Sequence, residues 1–353
     1  MVLTELETTT HERLVRISEP AAQLRGFIAI HSTLLGPALG GVRIRPYPTE
    51  AEAIEDVLKL SRGMTYKNAV ADLPLGGGKA AIIGDPETIK SPHLLNGFGC
   101  AVEALHGAYW TAEDMGMSAS DMDLIAESTR YVAGRPTGPF ASGDPAPHTA
   151  HGVVRAIRAA AQCAFGSDEL RGRVVAIQGL GNVGSHIAEL LHAAGARLVV
   201  TDTDPGRRAE LGVRLDADTV DPDRIFDVGA DVFAPCAVGG VLNSSSIARL
   251  RVRVVVGSAN NQLATPDDGR RLFERGILYG PDYVVNAGGV VSAATEVLRI
   301  RDRGPWVSRK MEAIGSLLEK IFAEAMERRA RPELVAERIA EERLKRRGRR
   351  KRA

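Results

Sequence analysis

Two lysines in a glycine-rich stretch are the first residues whose types and spacing suggest chemistry. Lys67 and Lys79 lie twelve positions apart within residues 63–86, and the glycines at 76–78 directly precede Lys79. Their neighbours are small or apolar, which favours partial burial over the alternative of two solvated surface ammonium groups. Burial beside a second positive charge lowers the pKa of a lysine, so one amine would act as a base while the other binds a carboxylate.

A phosphate-binding loop is an alternative interpretation of these glycines, and two positions argue against it. Such a loop has a glycine five residues before the glycine that precedes its lysine, and a hydroxyl residue directly after that lysine. This chain has Leu73 and Ala80 at those positions. We therefore expect the nucleotide to bind elsewhere in the chain.

Proton transfer also needs an acidic group, and the segment 110–125 contains four acidic residues. Asp121 and Asp123 fit the first turn of a helix, where carboxylates favour the helix dipole. Asp114, which Gly116 follows, fits a loop after a strand. We therefore choose Asp114 as the candidate acid.

The strongest local pattern is a glycine-rich turn between two apolar strands. A β-branched run leads into Gly-Leu-Gly-Asn-Val-Gly at 179–184, and a helical pattern and a second strand follow, ending at Asp202. Gly179 permits the tight turn, Gly181 lets a pyrophosphate approach, and Gly184 lets the helix pack closely on the sheet. This is the β-α-β unit of a dinucleotide-binding domain. Asp202 favours NAD over NADP because a carboxylate repels a 2′-phosphate, although Arg207 and Arg208 lie nearby.

Length and patterning predict an α/β protein of two domains with a cleft between them. At 353 residues the chain exceeds the ~250–300 at which one hydrophobic core stops growing. We expect an N-terminal α/β substrate domain at 1–138 and a Rossmann-type NAD-binding domain at 139–304. A helical segment at 305–345 would return to the first domain, and a basic tail at 345–353 would be disordered. The Pro- and Gly-rich segment 134–149 would be the hinge.

Charge and hydropathy exclude several classes of protein. Seven of the last nine residues are basic, and without them the net charge of +1 becomes −6, which is unlike a nucleic-acid-binding domain. No apolar run approaches the ~20 residues of a membrane helix, so we expect no membrane partner. The N-terminus has no apolar segment typical of a secretory signal, and we expect a cytoplasmic location.

Cysteine and histidine spacing indicates neither disulfide bonds nor a metal site. The three cysteines, Cys100, Cys163 and Cys236, are far apart and form no C-x-x-C pair. His148 and His151 have helical spacing but no third ligand nearby. We therefore expect buried free thiols and no bound metal.

Seven segments of the chain closely resemble, in order, the glutamate/leucine/phenylalanine/valine dehydrogenases. These segments are GPALGGVRIRPYPTEAEAIEDVLKLSRGMTYKNAVADLPLGGGKAAIIGDP, TAEDMG, GDPAP, GLGNVG, APCAVGG, GSANNQL and GILYGPDYVVNAGGV. The resemblance runs over about 30–300. It implies a homo-oligomer that reversibly converts an L-amino acid, NAD⁺ and water into a 2-oxo acid, ammonia and NADH.

The resemblance also assigns roles to individual residues. Lys79 is similar to the catalytic lysine of the family and Asp114 to its proton-transferring acid, while Lys67 and the backbone of Gly40 would hold the substrate α-carboxylate. The other substrate-binding positions would be Leu39, Ala112, Asn286, Val290 and Ala293. The cofactor-binding positions would be Gly179, Leu180, Gly181, Asn182, Val183, Gly184, Asp202, Thr149, Cys236, Ala237 and Asn260.

Two of these positions bear on the substrate side chain. Glutamate enzymes of the family have a lysine where this chain has Leu39 and a serine where it has Ala293, so a glutamate carboxylate would stay unpaired here. The phenylalanine branch often has glycine at the position of Leu39, and leucine there favours a branched-chain aliphatic substrate. Because one methylene is worth only ~1–3 kcal/mol, valine, leucine and isoleucine would all be accepted.

Departures from the family pattern keep alternatives open. Ala146 and His148 replace a serine and a small apolar residue, residues 115–118 differ from the usual ones, and Glu296 is the single acid left of an Asp-Glu pair. The first alternative is activity on a larger side chain, as in phenylalanine dehydrogenases. The second is a non-catalytic NAD-binding regulatory homologue, and the third is another NAD-dependent dehydrogenase, such as a hydroxy-acid enzyme with a His–acid pair as its base.

Overall fold

The computed structural model describes residues 1–138 and 140–352, and the chain divides into two compact α/β units. The first unit comprises 1–145, 290–307 and the chain from 340 onward. The second comprises 146–289 and 308–339. The predicted two-domain α/β architecture is therefore confirmed.

The first unit is built on a seven-stranded mixed sheet. Its strands are β1 (Val2–Leu6), β2 (Arg13–Glu19), β3 (Leu24–Ser32), β4 (Ala38–Leu39), β5 (Val42–Arg45), β6 (Gly76–Ile83) and β7 (Tyr109–Trp110), and its helices include α1 (Glu50–Val70), α2 (Pro86–Ile89), α3 (Pro92–Glu103) and α4 (Ala119–Ala126). The strand order is β1-β2-β3-β6-β4-β7, and β5 also pairs with β6. Strand β6 is antiparallel to β3 and parallel to β4 and β5, so it lies centrally and all eight of its residues are buried.

The second unit is a parallel sheet of six strands. Its elements are α5 (Ala146–Phe165), β8 (Val174–Gln178), α6 (Asn182–Ala193), β9 (Arg197–Thr201), α7 (Pro205–Arg214), β10 (Asp218–Thr219), β11 (Val232–Pro235), α8 (Ser244–Arg249), β12 (Val254–Val255), α9 (Pro266–Glu274), β13 (Leu278–Tyr279) and α10 (Asp282–Val285). The strand order is β10-β9-β8-β11-β12-β13, with every pairing parallel. The order reverses between β8 and β11, and sheets of this kind bind ligands at such a switch point.

Three helices complete the chain, α11 (Gly288–Val297), α12 (Arg303–Arg328) and α13 (Pro332–Arg352). The segment 290–307 belongs to the first unit, whereas chain order predicts it to be part of the nucleotide-binding domain. The reason is a long-range contact: the buried carboxylate of Glu296 accepts hydrogen bonds of 2.8 Å from the backbone N–H groups of Gly134 and Ser142.

The C-terminal segment also differs from the prediction. Residues 308–339 belong to the second unit, and only the chain from 340 onward is part of the first, where Arg343 donates hydrogen bonds to two carbonyl groups at the end of α1. Helix α13 continues to Arg352, where a disordered tail from 345 was expected. Arginine and lysine are good helix formers and this tail has no proline, so basic composition alone does not end the helix.

Helix α1 packs closely on the glycines of β6 and thereby positions the lysine that follows them. The helix begins at its N-cap, Thr49, whose side chain accepts a hydrogen bond from the backbone N–H of Glu52. Asn68 donates from Nδ2 to the carbonyl of Gly76 at 2.5 Å. A Cβ atom at Gly77 would lie 2.1 Å from the backbone nitrogen of Thr65, so only glycine fits there.

This close approach leads to a stability prediction. We expect Gly77→Ala to lower the free energy of unfolding by at least about 1–3 kcal/mol, because backbone atoms must shift to admit the methyl group. Gly63→Ala is the matched control: a Cβ atom there has no neighbour within 4 Å. Since alanine is the better helix former, Gly63→Ala should stabilise the protein by about 0.5–1 kcal/mol. Urea denaturation measures both, and equal midpoints for Gly77→Ala and wild type would contradict the packing.

Candidate active site

A buried ion pair between Lys79 and Asp114 is the centre of the candidate site in the first unit. Lys79 lies in the middle of β6 and is only 5% exposed. Its Nζ lies 2.8 Å from Oδ2 of Asp114, which follows β7 in the chain. The two residues that sequence reasoning chose for acid–base chemistry are therefore in direct contact.

Burial and neighbouring charges shift the pKa of both partners. Burial lowers the pKa of Lys79 below that of an ordinary lysine, although the Asp114 carboxylate opposes this effect. Burial by itself raises the pKa of Asp114, but the positive charges of Lys79 and Arg43 outweigh it and lower that pKa to about 2. The carboxylate is thus ionised at neutral pH, while the lysine releases its proton more readily than a solvated lysine.

A second cation holds the same carboxylate, and the sequence patterns did not point to it. Arg43 on β5 donates from Nε to Oδ2 of Asp114 at 2.7 Å and from Nη1 to Oδ2 of Asp56 at 2.9 Å. Tyr47 donates its hydroxyl to the same Asp56 oxygen at 2.6 Å. The available signal was an arginine between the apolar Val42 and Ile44 of a short strand.

The backbone at Gly40 is also fixed by its surroundings. Tyr109, which is fully buried, donates its hydroxyl to the Gly40 carbonyl at 2.6 Å. A Cβ atom at Gly40 would lie 1.8 Å from the carbonyl oxygen of Gly78 and 3.2 Å from Cγ of Met64 on α1. Met64 is one turn before Lys67, so this face of α1 approaches Gly40. The requirement for Tyr109 was missed, because a single aromatic residue carries no distinctive pattern.

The other predicted substrate-binding residues lie on different elements. Lys67 is half-buried in the last turn of α1, and Leu39 on β4 is 1% exposed. Leu39 pairs with Gly77 of β6, two residues before Lys79, and with Trp110 of β7, four residues before Asp114. The first unit also contains Ala112, which follows β7, and Val290 and Ala293, which lie on α11.

In the second unit, the predicted glycine turn connects β8 to α6. Gly179 has φ +95°, a conformation that favours glycine, and a Cβ atom there would lie 2.8 Å from Ala237. A Cβ atom at Gly184 would lie 2.0 Å from the carbonyl oxygen of Gly179 and 3.4 Å from Cβ of Cys236. Gly181 is the N-cap of α6 and has open space where its Cβ would be. The turn therefore offers a helix N-terminus with room for a phosphate group, and Leu180, Asn182 and Val183 lie within it.

Asp202, directly after β9, is tied to this turn. Its Oδ2 accepts a hydrogen bond of 2.6 Å from the backbone N–H of Leu180, and its Oδ1 accepts one of 2.8 Å from Asp204. Burial raises the pKa of Asp202, but these backbone N–H groups together with Arg207 and Thr203 outweigh it, so the net pKa is below the usual value. The group is an ionised acceptor, which suits ribose hydroxyl groups and opposes a phosphate.

An amide cluster in the same unit brings together three more predicted residues. Asn286 donates from Nδ2 to Oδ1 of Asn260 at 2.8 Å and to the carbonyl of Ser258 at 3.1 Å. A Cβ atom at Gly288 would lie 2.6 Å from Cα of Thr149, so Thr149 is adjacent to the loop that follows Asn286. The Oδ1 atom of Asn286 is buried and has no hydrogen-bond partner among the described residues. Such an acceptor is costly unless a ligand donates to it, which fits a bound carboxamide or amine.

Other types of site are not found in the part of the chain that the structure describes. Within 1–138 and 140–352 no group of three His, Cys, Asp or Glu side chains is arranged to hold a metal ion. None of the helices in these ranges combines the length and the apolar character needed to cross a bilayer. Cys100 is exposed, Cys163 and Cys236 are partly buried, and all three are free thiols.

The second unit has a parallel sheet with a glycine turn suited to a dinucleotide, and the first unit has a buried lysine–carboxylate pair suited to proton transfer. These features indicate the class of nicotinamide-dependent dehydrogenases. Comparison with known proteins agrees. Residues 8–131 match the family described as Glu/Leu/Phe/Val dehydrogenase, dimerisation domain, and residues 143–216 and 207–340 match Glutamate/Leucine/Phenylalanine/Valine dehydrogenase. The chain therefore belongs to the glutamate/leucine/phenylalanine/valine dehydrogenase family, as its motifs predict, and it is an oxidoreductase.

Individual relatives are similar over nearly the whole chain. A leucine dehydrogenase of Geobacillus stearothermophilus is 46% identical, covering 96% of this chain and 92% of its own length. A valine dehydrogenase of Streptomyces virginiae is 47% identical, covering 95% and 94%. Among solved structures, L-tryptophan dehydrogenase from Nostoc punctiforme has a TM-score of 0.83 at 38% identity, covering 96% of this chain and 97% of its own. The leucine and valine enzymes are thus about equally similar, and overall identity does not distinguish between these two side chains.

Proposed function

We propose that the chain is an NAD-dependent dehydrogenase that reversibly deaminates the branched-chain L-amino acids valine, leucine and isoleucine to 2-oxo acids and ammonia. The observation that carries the proposal is the 2.8 Å contact between the buried Nζ of Lys79 and the Asp114 carboxylate. A buried amine of lowered pKa beside a fixed carboxylate suits a reaction that moves protons on nitrogen and on water.

The roles of the residues follow from their chemistry. Lys67 and the backbone at Gly40 would bind the substrate α-carboxylate and so orient the α-carbon. When bound, the nicotinamide ring would supply the acceptor for the hydride that leaves this carbon. Lys79, once deprotonated, would take a proton at Nζ from the water that attacks the resulting iminium carbon. Asp114 would exchange protons of the substrate nitrogen at its carboxylate oxygens before ammonia leaves.

The choice of a branched-chain side chain rests on Leu39 and Ala293. Both are apolar, and a glutamate carboxylate beside them would lack a hydrogen-bonding or charged partner. Leucine and valine dehydrogenases among the similar proteins support an aliphatic substrate. Larger side chains are the competing class, since the tryptophan enzyme has a similar fold and Ala293 is small.

Asp202 supports NAD as the cofactor, and its substitution provides a test. We expect Asp202→Ala to raise the KM for NAD⁺ about tenfold or more, because the ribose loses a charged acceptor worth ~1.5–3 kcal/mol. The KM for NADP⁺ should fall, because the repulsion of a 2′-phosphate is removed. Asp218→Ala is the control, since Asp218 is an exposed acid of the same unit. Initial rates with both cofactors measure the change, and an unchanged ratio of the two KM values would refute the role of Asp202.

The proposal includes a homo-oligomer in the cytoplasm, with an amino acid, a 2-oxo acid and ammonia as its small-molecule partners. The match to a family described as a dimerisation domain supports self-association of the first unit. Size-exclusion chromatography with light scattering measures the state directly. A monomer at micromolar concentration would contradict this part.

A substrate panel tests the proposed function. NADH formation at alkaline pH with L-valine, L-leucine, L-isoleucine, L-phenylalanine, L-tryptophan and L-glutamate should be fastest with the three aliphatic amino acids. The reverse reaction with the 2-oxo acid and NADH should require ammonium. Preference for an aromatic substrate would favour the phenylalanine-type alternative. NAD⁺ binding without turnover of any L-amino acid would favour the regulatory homologue, and ammonium-independent reduction of a 2-oxo acid would favour a hydroxy-acid enzyme.

A further inference from the structure

The network that extends from the Lys79–Asp114 pair contains a cation with no assigned role. The side chain of Arg43 is 11% exposed, and its guanidinium contacts two carboxylates through two different nitrogens. Its Nε donates to the same Asp114 oxygen that Nζ of Lys79 contacts, at 2.7 and 2.8 Å respectively. One carboxylate oxygen is thus shared between the candidate base and Arg43.

The second contact of Arg43 fixes the direction of the first. Nη1 of Arg43 lies 2.9 Å from Oδ2 of Asp56 on α1, and the hydroxyl of Tyr47 donates to that oxygen at 2.6 Å. A guanidinium is rigid and planar, so two contacts through different nitrogens define its orientation. The orientation of Asp114 relative to Lys79 is then set by α1 and β5, not by Lys79 alone.

The charges of the network balance. Lys79 faces the negative charges of Asp114 and Asp56 and the positive charge of Arg43. With the protonated amine of Lys79 included, the network has two positive and two negative charges. Asp114 faces Lys79 and Arg43, with the buried hydroxyl of Tyr109 and the carboxyl group of Glu113 also near it. The positive charge of Arg43 favours loss of a proton from Lys79, whereas the negative charge of Asp114 opposes it.

We propose that Arg43 is a positioning residue for the proposed deamination, which holds Asp114 against Nζ of Lys79 and adds the positive charge that favours the neutral amine. The inference rests on the proposed function, because it assigns the acid–base work to Lys79. It concerns a residue whose side-chain hydrogen bonds go to Asp114 and Asp56, neither of which is a substrate-binding or cofactor-binding position named above. Arg43 acts on the reaction through Asp114 and Lys79.

The test is the pH profile of kcat for L-valine oxidation in Arg43→Gln, Arg43→Lys and wild type. Arg43→Gln removes a positive charge near Lys79 and frees Asp114 to pair with Lys79 alone. Both changes raise the pKa of the amine, so the acidic limb should move by about one pH unit or more to higher pH. Arg43→Lys keeps the charge but not the two-nitrogen geometry. Its limb should stay near the wild-type position, while kcat falls about tenfold or more because Asp114 is less well oriented.

A second measurement does not depend on turnover. The rate at which acetic anhydride labels Lys79 in the protein without substrate, followed by mass spectrometry against pH, reports the deprotonated fraction of that amine. The labelling curve should shift in the same direction in Arg43→Gln. Tyr47→Phe, which loses a single hydroxyl, is a milder variant in case Arg43→Gln fails to fold, and its shift should be smaller but of the same sign. Arg13→Gln is the control, since Arg13 forms an exposed pair with Glu5.

The outcomes separate this inference from the proposed function. An active wild type whose acidic limb and labelling curve stay unchanged in Arg43→Gln and Tyr47→Phe would overturn the role of Arg43 alone. A lower kcat in Arg43→Gln without a shift of the limb would also overturn it, since that is the result of a purely structural role. A wild type that oxidises no L-amino acid would refute the proposed function, while the labelling shift would still test the influence of Arg43 on Lys79.

Discussion

Lys79→Ala should abolish most amino-acid-dependent NADH formation, lowering kcat with L-valine or L-leucine by about 100- to 10,000-fold. The variant removes the amine that would accept the proton of the attacking water. The KM for NAD⁺ should change little, because the residues proposed for nucleotide binding belong to the second unit, whereas Lys79 belongs to the first. Initial rates at saturating substrate and cofactor measure the loss.

The loss has to be separated from a loss of folding. Lys59→Ala is the matched control, since Lys59 is an exposed lysine on α1 of the same unit, and it should keep wild-type activity. Lys79→Met keeps most of the side-chain volume in the buried strand and should be as inactive as Lys79→Ala. Circular dichroism and the thermal midpoint report folding. If a folded Lys79→Met retains kcat within a few-fold of wild type, the proposed role of this amine is wrong.

The nucleotide-binding half of the candidate site could be predicted because its pattern is local. From Gly179 to Asp202 the chain forms one strand, one helix and a second strand, and each glycine has a requirement that its immediate neighbours impose. The helix N-terminus and the carboxylate at the strand tip follow from the same short segment. Periodicity and turn residues are sufficient evidence for such a unit.

The acid–base half was predictable only in part, because its geometry depends on contacts between distant residues. The burial of Lys79 could be inferred from its small neighbours. Arg43, however, lies 71 positions from Asp114 and 13 from Asp56, and no short pattern connects the three residues. The residue patterns together with the family resemblance identified the two groups that contact each other, but they did not identify Arg43.

The domain boundaries show the same limitation. The segment 290–307 directly follows the Asn-Ala-Gly-Gly sequence at 286–289, so chain order placed it in the nucleotide-binding domain. In the structure the Glu296 carboxylate bonds to backbone N–H groups as far as 162 positions away, at Gly134. A buried carboxylate needs such partners, and composition does not reveal which distant backbone groups supply them.

Asp114→Asn should lower kcat about 100- to 10,000-fold and also reduce stability, and the two effects have different pH dependences. Asparagine cannot accept a proton from the substrate nitrogen, and it leaves Lys79 and Arg43 without their shared counter-charge. The pKa of Asp114 is lowered from 3.8 to about 2 in the folded protein. By linkage this corresponds to about 2 kcal/mol of stability for a side chain that is 23% exposed.

The sign of this linkage makes the stability effect testable. Because the folded pKa is lowered, the stabilisation is fully present above the unfolded pKa and is lost as the pH falls from about 4 towards 2. The wild type should therefore exceed Asp114→Asn in free energy of unfolding at pH 7, and the difference should shrink towards pH 2. Asp123→Asn is the control, because Asp123 forms a more exposed pair with Arg135 and such pairs contribute about 0–1 kcal/mol. A gap between wild type and Asp114→Asn that stays constant from pH 7 to pH 2 would show that the carboxylate is not held in its ionised form, and the proposed ion pair with Lys79 would then have to be abandoned.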